Sequence, residues 1–178
     1  MGKQQDSLTP KLEEFIAKQH IFFVGTAMKE GRVNISPKGM DTFKIVNSNK
    51  VIWLNLTGSG NETATHIQES NRMTIMFCSF EGKPLILRLY GKAKVYHSNN
   101  QKFKEYLKEF SETAGARQVF EIDIDLVQTS CGFAVPFMDY VEERTQLKDW
   151  SLKKGKEGMK TFWKEKNSIS LDGHQTHI

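Results

Sequence analysis

The stretch LTGSGNETATHI, residues 56–67, carries residue types that suit the binding of an anion. It follows KVIWLNL, which is rich in β-branched and aromatic residues, and it leads into a helical pattern at residues 61–70, so it predicts a strand-to-helix turn. The first N–H groups of a helix lack partners within it and lie at the positive end of its dipole. One interpretation of this stretch is therefore a phosphate site.

Individual side chains of the stretch fit this interpretation, and one opposes it. Gly58 and Gly60 would let the backbone approach a ligand closely. Further hydrogen-bond donors are the side chains of Thr57, Ser59, Asn61 and Thr63. In the alternative interpretation Ser59 caps the helix, Glu62 closes a capping box, and the glycines serve only the turn. The carboxylate of Glu62 would repel an anion, and the two interpretations remain open on this segment alone.

A second candidate is RVNISPKGMDTF, residues 32–43, in which a predicted strand ends near Ser36 and Pro37. Lys38 follows directly and could place a positive charge beside a phosphate. The alternative is a solvated lysine in a turn.

Composition limits the class of protein. The chain has 178 residues, 38% of them hydrophobic and 26% charged, which is typical of one soluble globular domain. No apolar run approaches the roughly 20 residues that span a bilayer, and no signal peptide or myristoylation motif is evident, so we expect a cytoplasmic protein without a membrane partner. Cys78 and Cys131 lie outside any metal-binding spacing, Cys78 is expected in the core, and the pair His174 and His177 is weak evidence for a metal. We predict no metal site.

The net charge of +4 lies in one segment, because residues 148–166 carry seven lysines against three acidic residues. A general nucleic-acid binder would have a basic face on its body, so nucleic acid is an unlikely partner. The aromatic residues of this segment, Trp150, Phe162 and Trp163, either stack on bases or pack onto the body while the lysines face solvent. We favour packing.

The remaining patterns predict an antiparallel barrel with peripheral helices, a mostly β fold of the α+β class. Helices are expected at residues 10–19, 61–70 and 101–112. Strands are expected in HIFFVGTAM and VNISP, which form a hairpin, and in TFKIV, KVIWLNL, RMTIMFCSF, PLILRLYGKAKVYH and VFEIDIDLVQTSC. The last alternates apolar and acidic residues, which predicts a half-solvated strand. The polar end, SISLDGHQTHI, is expected to be loosely ordered or draped over a neighbour.

Four motifs in this order, VNISPKGMDTF, WLNLTGSGNETATHI, RMTIMFCSFEGKPLILRLYGKAKV and SCGFAVPFMDYVEER, resemble the pyridoxamine 5′-phosphate oxidase-like family of FMN-binding split barrels. The similarity runs from Gly25 to Arg144 and is strongest to a branch of small bacterial members. It implies an antiparallel split β-barrel at residues 21–140, preceded by an N-terminal helix at 1–20 and followed by a helical segment and tail at 141–178. It also implies a homodimer with FMN bound at the subunit interface.

The resemblance assigns expected cofactor contacts by position. The strand Val33–Lys38 corresponds to the one beside the isoalloxazine ring, and Leu56 and Thr57 correspond to the pair that borders the flavin. Glu62 and Thr63 stand where the vitamin B6 oxidases have a basic pair on the phosphate. Arg88 would help to hold the phosphate or would pair with Glu62. The full predicted set is Asn34, Ile35, Ser36, Lys38, Leu56, Thr57, Ser59, Gly60, Asn61, Glu62, Thr63 and Arg88.

The predicted function is that of an FMN-binding protein, as an FMN-dependent oxidoreductase acting on a small molecule. The flavin would supply the chemistry, so no side chain is predicted as catalytic. Phe133 and Tyr140 are expected on the substrate side. The alternatives are F420 or haem in place of FMN, binding of flavin, haem or another planar ligand without catalysis, and an interaction protein that uses the lysine-rich segment.

Overall fold

Short segments rich in apolar, β-branched and aromatic residues form the strands of this fold, and amphipathic segments form its helices. The computed structural model describes residues 2–111 and 113–178. The strands are β1 (Lys3–Gln5), β2 (Phe22–Thr26), β3 (Asn34–Lys38), β4 (Phe43–Asn47), β5 (Lys50–Leu56), β6 (Arg72–Cys78), β7 (Ile86–His97) and β8 (Ala116–Ser130). The helices are α1 (Pro10–Ala17), α2 (Glu62–Ser70), α3 (Gln101–Tyr106), which continues as a 3₁₀ turn at Leu107–Glu109, and α4 (Gln146–Lys166).

The strands form one antiparallel sheet in the order β3-β2-β6-β7-β8-β5-β4, and β1 pairs with β8. In this order β2 and β4 are five strands apart, which would be about 24 Å in a flat sheet at about 4.8 Å per strand. The rings of Phe22 on β2 and Phe43 on β4 are nevertheless 5.2 Å apart. The sheet therefore curls until its two ends approach each other, as in the split barrel that was predicted.

The interior of the curled sheet is filled by aromatic and aliphatic side chains. Trp53 stacks on Phe120 with ring centroids 4.8 Å apart, and Phe77 packs between Phe22 and Phe43. Leu12 and Ile16 of α1 belong to the same cluster, which explains why the apolar face of this short helix is stable. Cys78 is buried at the end of β6, as predicted.

Two elements differ from the sequence prediction. The strand β8 is buried on both faces from Arg117 to Ile122 and becomes half-solvated only beyond that point. The reason is that α3 covers its outer face with a second apolar cluster that includes Phe103 and Val119. The predicted helix 101–112 is α-helical only to Tyr106, and its predicted last residue lies outside the described residues.

The C-terminal segment also differs from the prediction. The lysines of α4 face solvent as expected, and its aromatic residues Trp150 and Phe162 pack on each other at 5.0 Å. Gly155 has a positive φ of 65° and kinks the helix. The tail after Lys166 is not loosely ordered as predicted, because it packs against α2 of the same chain, and Asn167 and Thr176 are completely buried.

Candidate functional site

The turn between β5 and α2, together with the first two residues of α2, was predicted as a phosphate site and is called the phosphate loop (residues 57–63) for that reason. On one side it is held by its own chain. The N–H and hydroxyl of Thr57 both donate to the Gly115 carbonyl at 2.8 Å. The indole N–H of Trp163 donates to the Thr57 hydroxyl at 2.8 Å. Thr57 is therefore buried and has little capacity left for a ligand.

The carbonyl groups of the phosphate loop point toward two side chains that sequence reasoning missed. The Asn167 amide donates to the carbonyls of Gly58 at 3.1 Å and Ser59 at 3.4 Å. The Arg117 guanidinium donates to the Gly60 carbonyl at 2.9 Å and to the Asn167 side-chain oxygen at 2.7 Å. In contrast, the N–H groups of residues 58–63 donate to no acceptor in the part of the chain that the structure describes.

The predicted capping box is wrong. The N-cap of α2 is Asn61 rather than Ser59, and its side chain makes no capping hydrogen bond. The Glu62 carboxylate instead accepts from the Leu171 N–H, with both oxygens at 3.0 Å. The tail thus engages the carboxylate that was expected to oppose an anion, while the N–H groups at the start of α2 stay unsatisfied.

Strand β3 lies beside the start of α2 and turns alternate side chains inward. Asn34 donates from its amide to the Thr63 hydroxyl at 3.3 Å. The Ser36 hydroxyl is buried without a hydrogen-bond partner among the described residues. Ile35, between them, is 69% exposed. Asn34, Ser36 and Lys38 therefore share the inner face of β3, and Ile35 lies on the outer face.

Lys38 is not the solvated turn lysine of the alternative interpretation. Its ammonium lies 5.1 Å from the centre of the Trp53 ring, over the barrel interior. Burial, and secondarily the positive charge of Arg117, lower the pKa of Lys38 to about 8. The side chain thus remains mostly protonated at neutral pH in a partly apolar setting.

Arg88 is not brought to the phosphate loop within this chain, and its suggested pairing with Glu62 is wrong. Its guanidinium donates to the Ser130 hydroxyl at 3.1 Å, and Arg88 pairs with Gln128 on β8. Leu56, at the end of β5, pairs with Ala116 at the opposite end of β8. The two positions are separated by about 40 Å of strand length at about 3.3 Å per residue.

The residues predicted on the substrate side lie near a separate cleft. A cleft of about 1350 Å³ runs between α1, the end of β3, the turn at residues 79–85 and the segment 138–147. Lys38 and Tyr140 both line it, and Tyr140 stacks on His20 with centroids 3.6 Å apart. Phe133 is 82% exposed and does not line the cleft. Lys38 is thus the predicted residue that connects the inner face of β3 with this cleft.

Arg117 is the most informative residue that the sequence prediction omitted. It is only 3% exposed, and burial lowers its pKa to about 10. The available signal was an arginine at the start of the strand ARQVFEIDIDL, whose later residues are apolar and acidic. That signal does not reveal which loop the guanidinium contacts, because the contact joins residues far apart in the chain.

No group of three or more histidine, cysteine, aspartate or glutamate residues could hold a metal in the described ranges 2–111 and 113–178. Within the same ranges no helix is long and apolar enough to cross a membrane.

Comparison with known proteins defines the family. The sequence profile of the family described as Pyridoxamine 5′-phosphate oxidase matches residues 8–131. A curated relative, the pyridoxamine 5′-phosphate oxidase family protein ustO of Aspergillus flavus, is 40% identical over 139 residues, which cover 75% of this chain and 56% of that protein. The chain therefore belongs to the pyridoxamine 5′-phosphate oxidase family, and it spans little more than half the length of this relative.

Solved structures confirm the fold. A putative pyridoxamine 5′-phosphate oxidase from Lactobacillus delbrueckii superposes with a TM-score of 0.55 at 15% identity, covering 69% of this chain and 94% of that one. HupZ of Group A Streptococcus gives 0.53 at 19% identity, over 67% and 91% of the two chains. The heme storage protein HutZ of Vibrio cholerae gives 0.51 at 16% identity, over 67% and 92%. These similarities establish the split-barrel architecture.

Proposed function

We propose that this protein binds FMN and acts as an FMN-dependent oxidoreductase. The observation that carries the proposal is the row of unsatisfied N–H groups in the phosphate loop, beside the inward face of β3, in a chain of this family. Consecutive free N–H groups at the start of a helix suit a phosphate monoester.

The residues present fit a phosphate-bearing flavin. The Ser36 hydroxyl is buried without a partner in the described ranges, and such orphaned groups are rare unless a ligand or water satisfies them. Lys38 supplies a positive charge on the same face of β3. The loop amides and Lys38 would hold the phosphate, while Asn34 and Ser36 would contact the rest of the cofactor. Bound FMN would supply hydride or electron transfer, and the protein would position the flavin and exclude water.

A homodimer is part of the proposal. Large apolar side chains are exposed on β3, just before it, and on the segment after β8: Val33, Ile35, Phe133, Phe137, Met138 and Val141. Exposed apolar surface of this extent usually marks an interface. Phe137→Asp is expected to shift the protein from dimer to monomer in size-exclusion chromatography with light scattering. Leu152→Asp, which changes an exposed leucine on α4, is the control and should remain dimeric.

The direct test is titration of the intact 178-residue chain with FMN, followed by absorption and flavin fluorescence. We expect saturable binding, one flavin per chain. Lys38→Ala should weaken binding by about 10- to 100-fold, since charge-assisted hydrogen bonds contribute about 1.5 to 3 kcal/mol. Lys44→Ala, which removes a lysine paired with Asp41 on the surface, should leave the affinity unchanged. A wild-type protein that does not bind FMN would refute the proposal.

Haem is the second candidate ligand, supported by the fold similarity to HutZ, which is described as a heme storage protein. His20, stacked on Tyr140 in the cleft, is an available histidine. Haem binding that His20→Ala abolishes, with no binding of FMN, would favour this candidate over the flavin.

A further inference from the structure

We propose that Arg117 is a positioning residue for the phosphate of the bound flavin. It holds the carbonyl groups of the phosphate loop inward, which turns the N–H groups of the loop outward. It also supplies positive charge from behind the loop. This inference rests on the proposed function and deepens it. It assigns a role to a buried side chain that does not itself touch the ligand.

The backbone geometry provides the first argument. In a trans peptide the C=O of one residue and the N–H of the next point in opposite directions. Asn167 binds the carbonyls of Gly58 and Ser59, and Arg117 binds that of Gly60. The N–H groups of residues 59, 60 and 61 therefore point away from these two side chains. They form a row of three donors without an acceptor in the described part of the chain.

The charge of Arg117 provides the second argument. Its hydrogen-bond partners are neutral oxygens: those of Gly60, Asn167 and, in one orientation of its amide, Asn55 at 3.0 Å. No carboxylate in the described ranges pairs with it, and its Nε has no partner there. A buried cation without a counter-ion is costly, and an anion close by offsets that cost.

Neighbouring groups respond to the same positive charge. Arg117 contributes to lowering the pKa of Lys38 and, after burial and His177, that of His97. The phosphate loop itself, TGSGNET, contains no basic residue and one acidic residue, Glu62. The cation that contacts this loop is therefore Arg117, through the Gly60 carbonyl.

The test compares the affinities of FMN and riboflavin, which differ by the phosphate. Wild-type protein is expected to prefer FMN by at least about tenfold. Arg117→Gln should reduce the FMN-to-riboflavin preference by about 10- to 100-fold, equivalent to about 1.4 to 2.8 kcal/mol, and change riboflavin affinity by less than about threefold. Arg117→Lys, which restores the charge without the planar fork, should recover part of the preference.

A second variant covers the case in which Arg117→Gln fails to fold. Asn55→Asp keeps Arg117 and adds a carboxylate next to its guanidinium, so it should also reduce the preference for FMN. Asn47→Asp introduces the same charge at the exposed end of β4 and is the matched control, with the preference unchanged.

The possible outcomes separate this inference from the proposed function. A preference for FMN that survives both Arg117→Gln and Asn55→Asp would overturn the role of Arg117, as would an equal loss of both flavins in the two variants. Wild-type protein that binds both flavins equally would overturn it too, while flavin binding would stand. Wild-type protein that binds neither would overturn both.

Discussion

Asn167 joins the C-terminal tail to the phosphate loop, and replacing it tests how strongly the two are coupled. Asn167→Ala removes the side-chain bonds to the carbonyls of Gly58 and Ser59 and the bond from Arg117. The backbone of Asn167, which accepts from Asn61 and Thr176, is retained. The substitution therefore weakens one side of the loop without deleting the tail.

The expected loss of stability is about 2 to 4 kcal/mol. The bond from Arg117 is charge-assisted and contributes about 1.5 to 3 kcal/mol, and the bond to Gly58 contributes about 1 kcal/mol. The bond to Ser59 is long, at 3.4 Å, and adds little. Gly58 and Ser59 are exposed, so water can hydrogen-bond to their carbonyls in the variant, and this limits the loss of stability to the stated range. For a chain of this size the loss corresponds to about 5 to 12 °C in Tm.

The assay is urea unfolding followed by circular dichroism, with linear extrapolation. Ser168→Ala is the matched control, because the Ser168 hydroxyl donates only to the Lys164 carbonyl one turn earlier. It should change the free energy of unfolding by less than about 0.5 kcal/mol. If Asn167→Ala and Ser168→Ala unfold at the same urea concentration, the contacts of Asn167 do not stabilise the protein and the reasoning is refuted.

Three further predictions concern single ionisable side chains. The folded-state pKa of Lys38 is lowered from 10.5 to about 8, so the unfolded chain binds more protons between these values and stability should rise with pH from about 8 to 10.5. Lys38→Met should therefore be more stable than wild type by about 1 to 3 kcal/mol at pH 7, and its stability should not rise between pH 8 and 10.5 as that of wild type does. Urea unfolding at several pH values measures both effects. Parallel pH profiles of the two proteins would contradict the prediction. Glu62→Gln removes the negative charge from the loop and should tighten FMN binding by about 3- to 10-fold in fluorescence titrations, whereas weaker binding would mean that the phosphate is held elsewhere. Tyr106→Phe removes the hydroxyl that donates to the buried Glu121 carboxylate, and it should lower the free energy of unfolding by about 1 to 3 kcal/mol in urea. The control is Tyr90→Phe, which removes a hydroxyl that donates to the neutral Gln128 side chain and should cost under about 1 kcal/mol.

The Lys38 prediction links stability with binding. The ammonium that destabilises the folded chain is the one that we propose contacts the phosphate, so Lys38→Met should gain stability and lose FMN affinity together. Such opposition is common at functional sites, because a site built for a charged ligand leaves its own charges uncompensated. A variant that gains stability and keeps full FMN affinity would separate Lys38 from the cofactor site.

Local patterns in the chain were sufficient to predict most of the secondary structure. Short runs rich in apolar, β-branched and aromatic residues, separated by turn residues, predicted the hairpin of β2 and β3 and the strands β4 to β7. Helical spacing identified α1 and α2 in the same way. The turn between β5 and α2, and therefore the position of the phosphate loop, also followed from the sequence.

The environment of that loop was decided only by the tertiary structure. Arg117 meets Gly60 across 57 residues of chain, Asn167 meets Gly58 across 109, and the tail meets Glu62 across 109. No local pattern encodes such contacts, since they depend on how the sheet curls and where α4 ends. The same reason explains the errors: Ser59 and Glu62 have the spacing of a capping box, yet the Glu62 carboxylate binds the Leu171 N–H that the tail brings to it. Residue types and spacing specified the strands, helices and turn, and packing between distant segments determined which way the loop's N–H and C=O groups point.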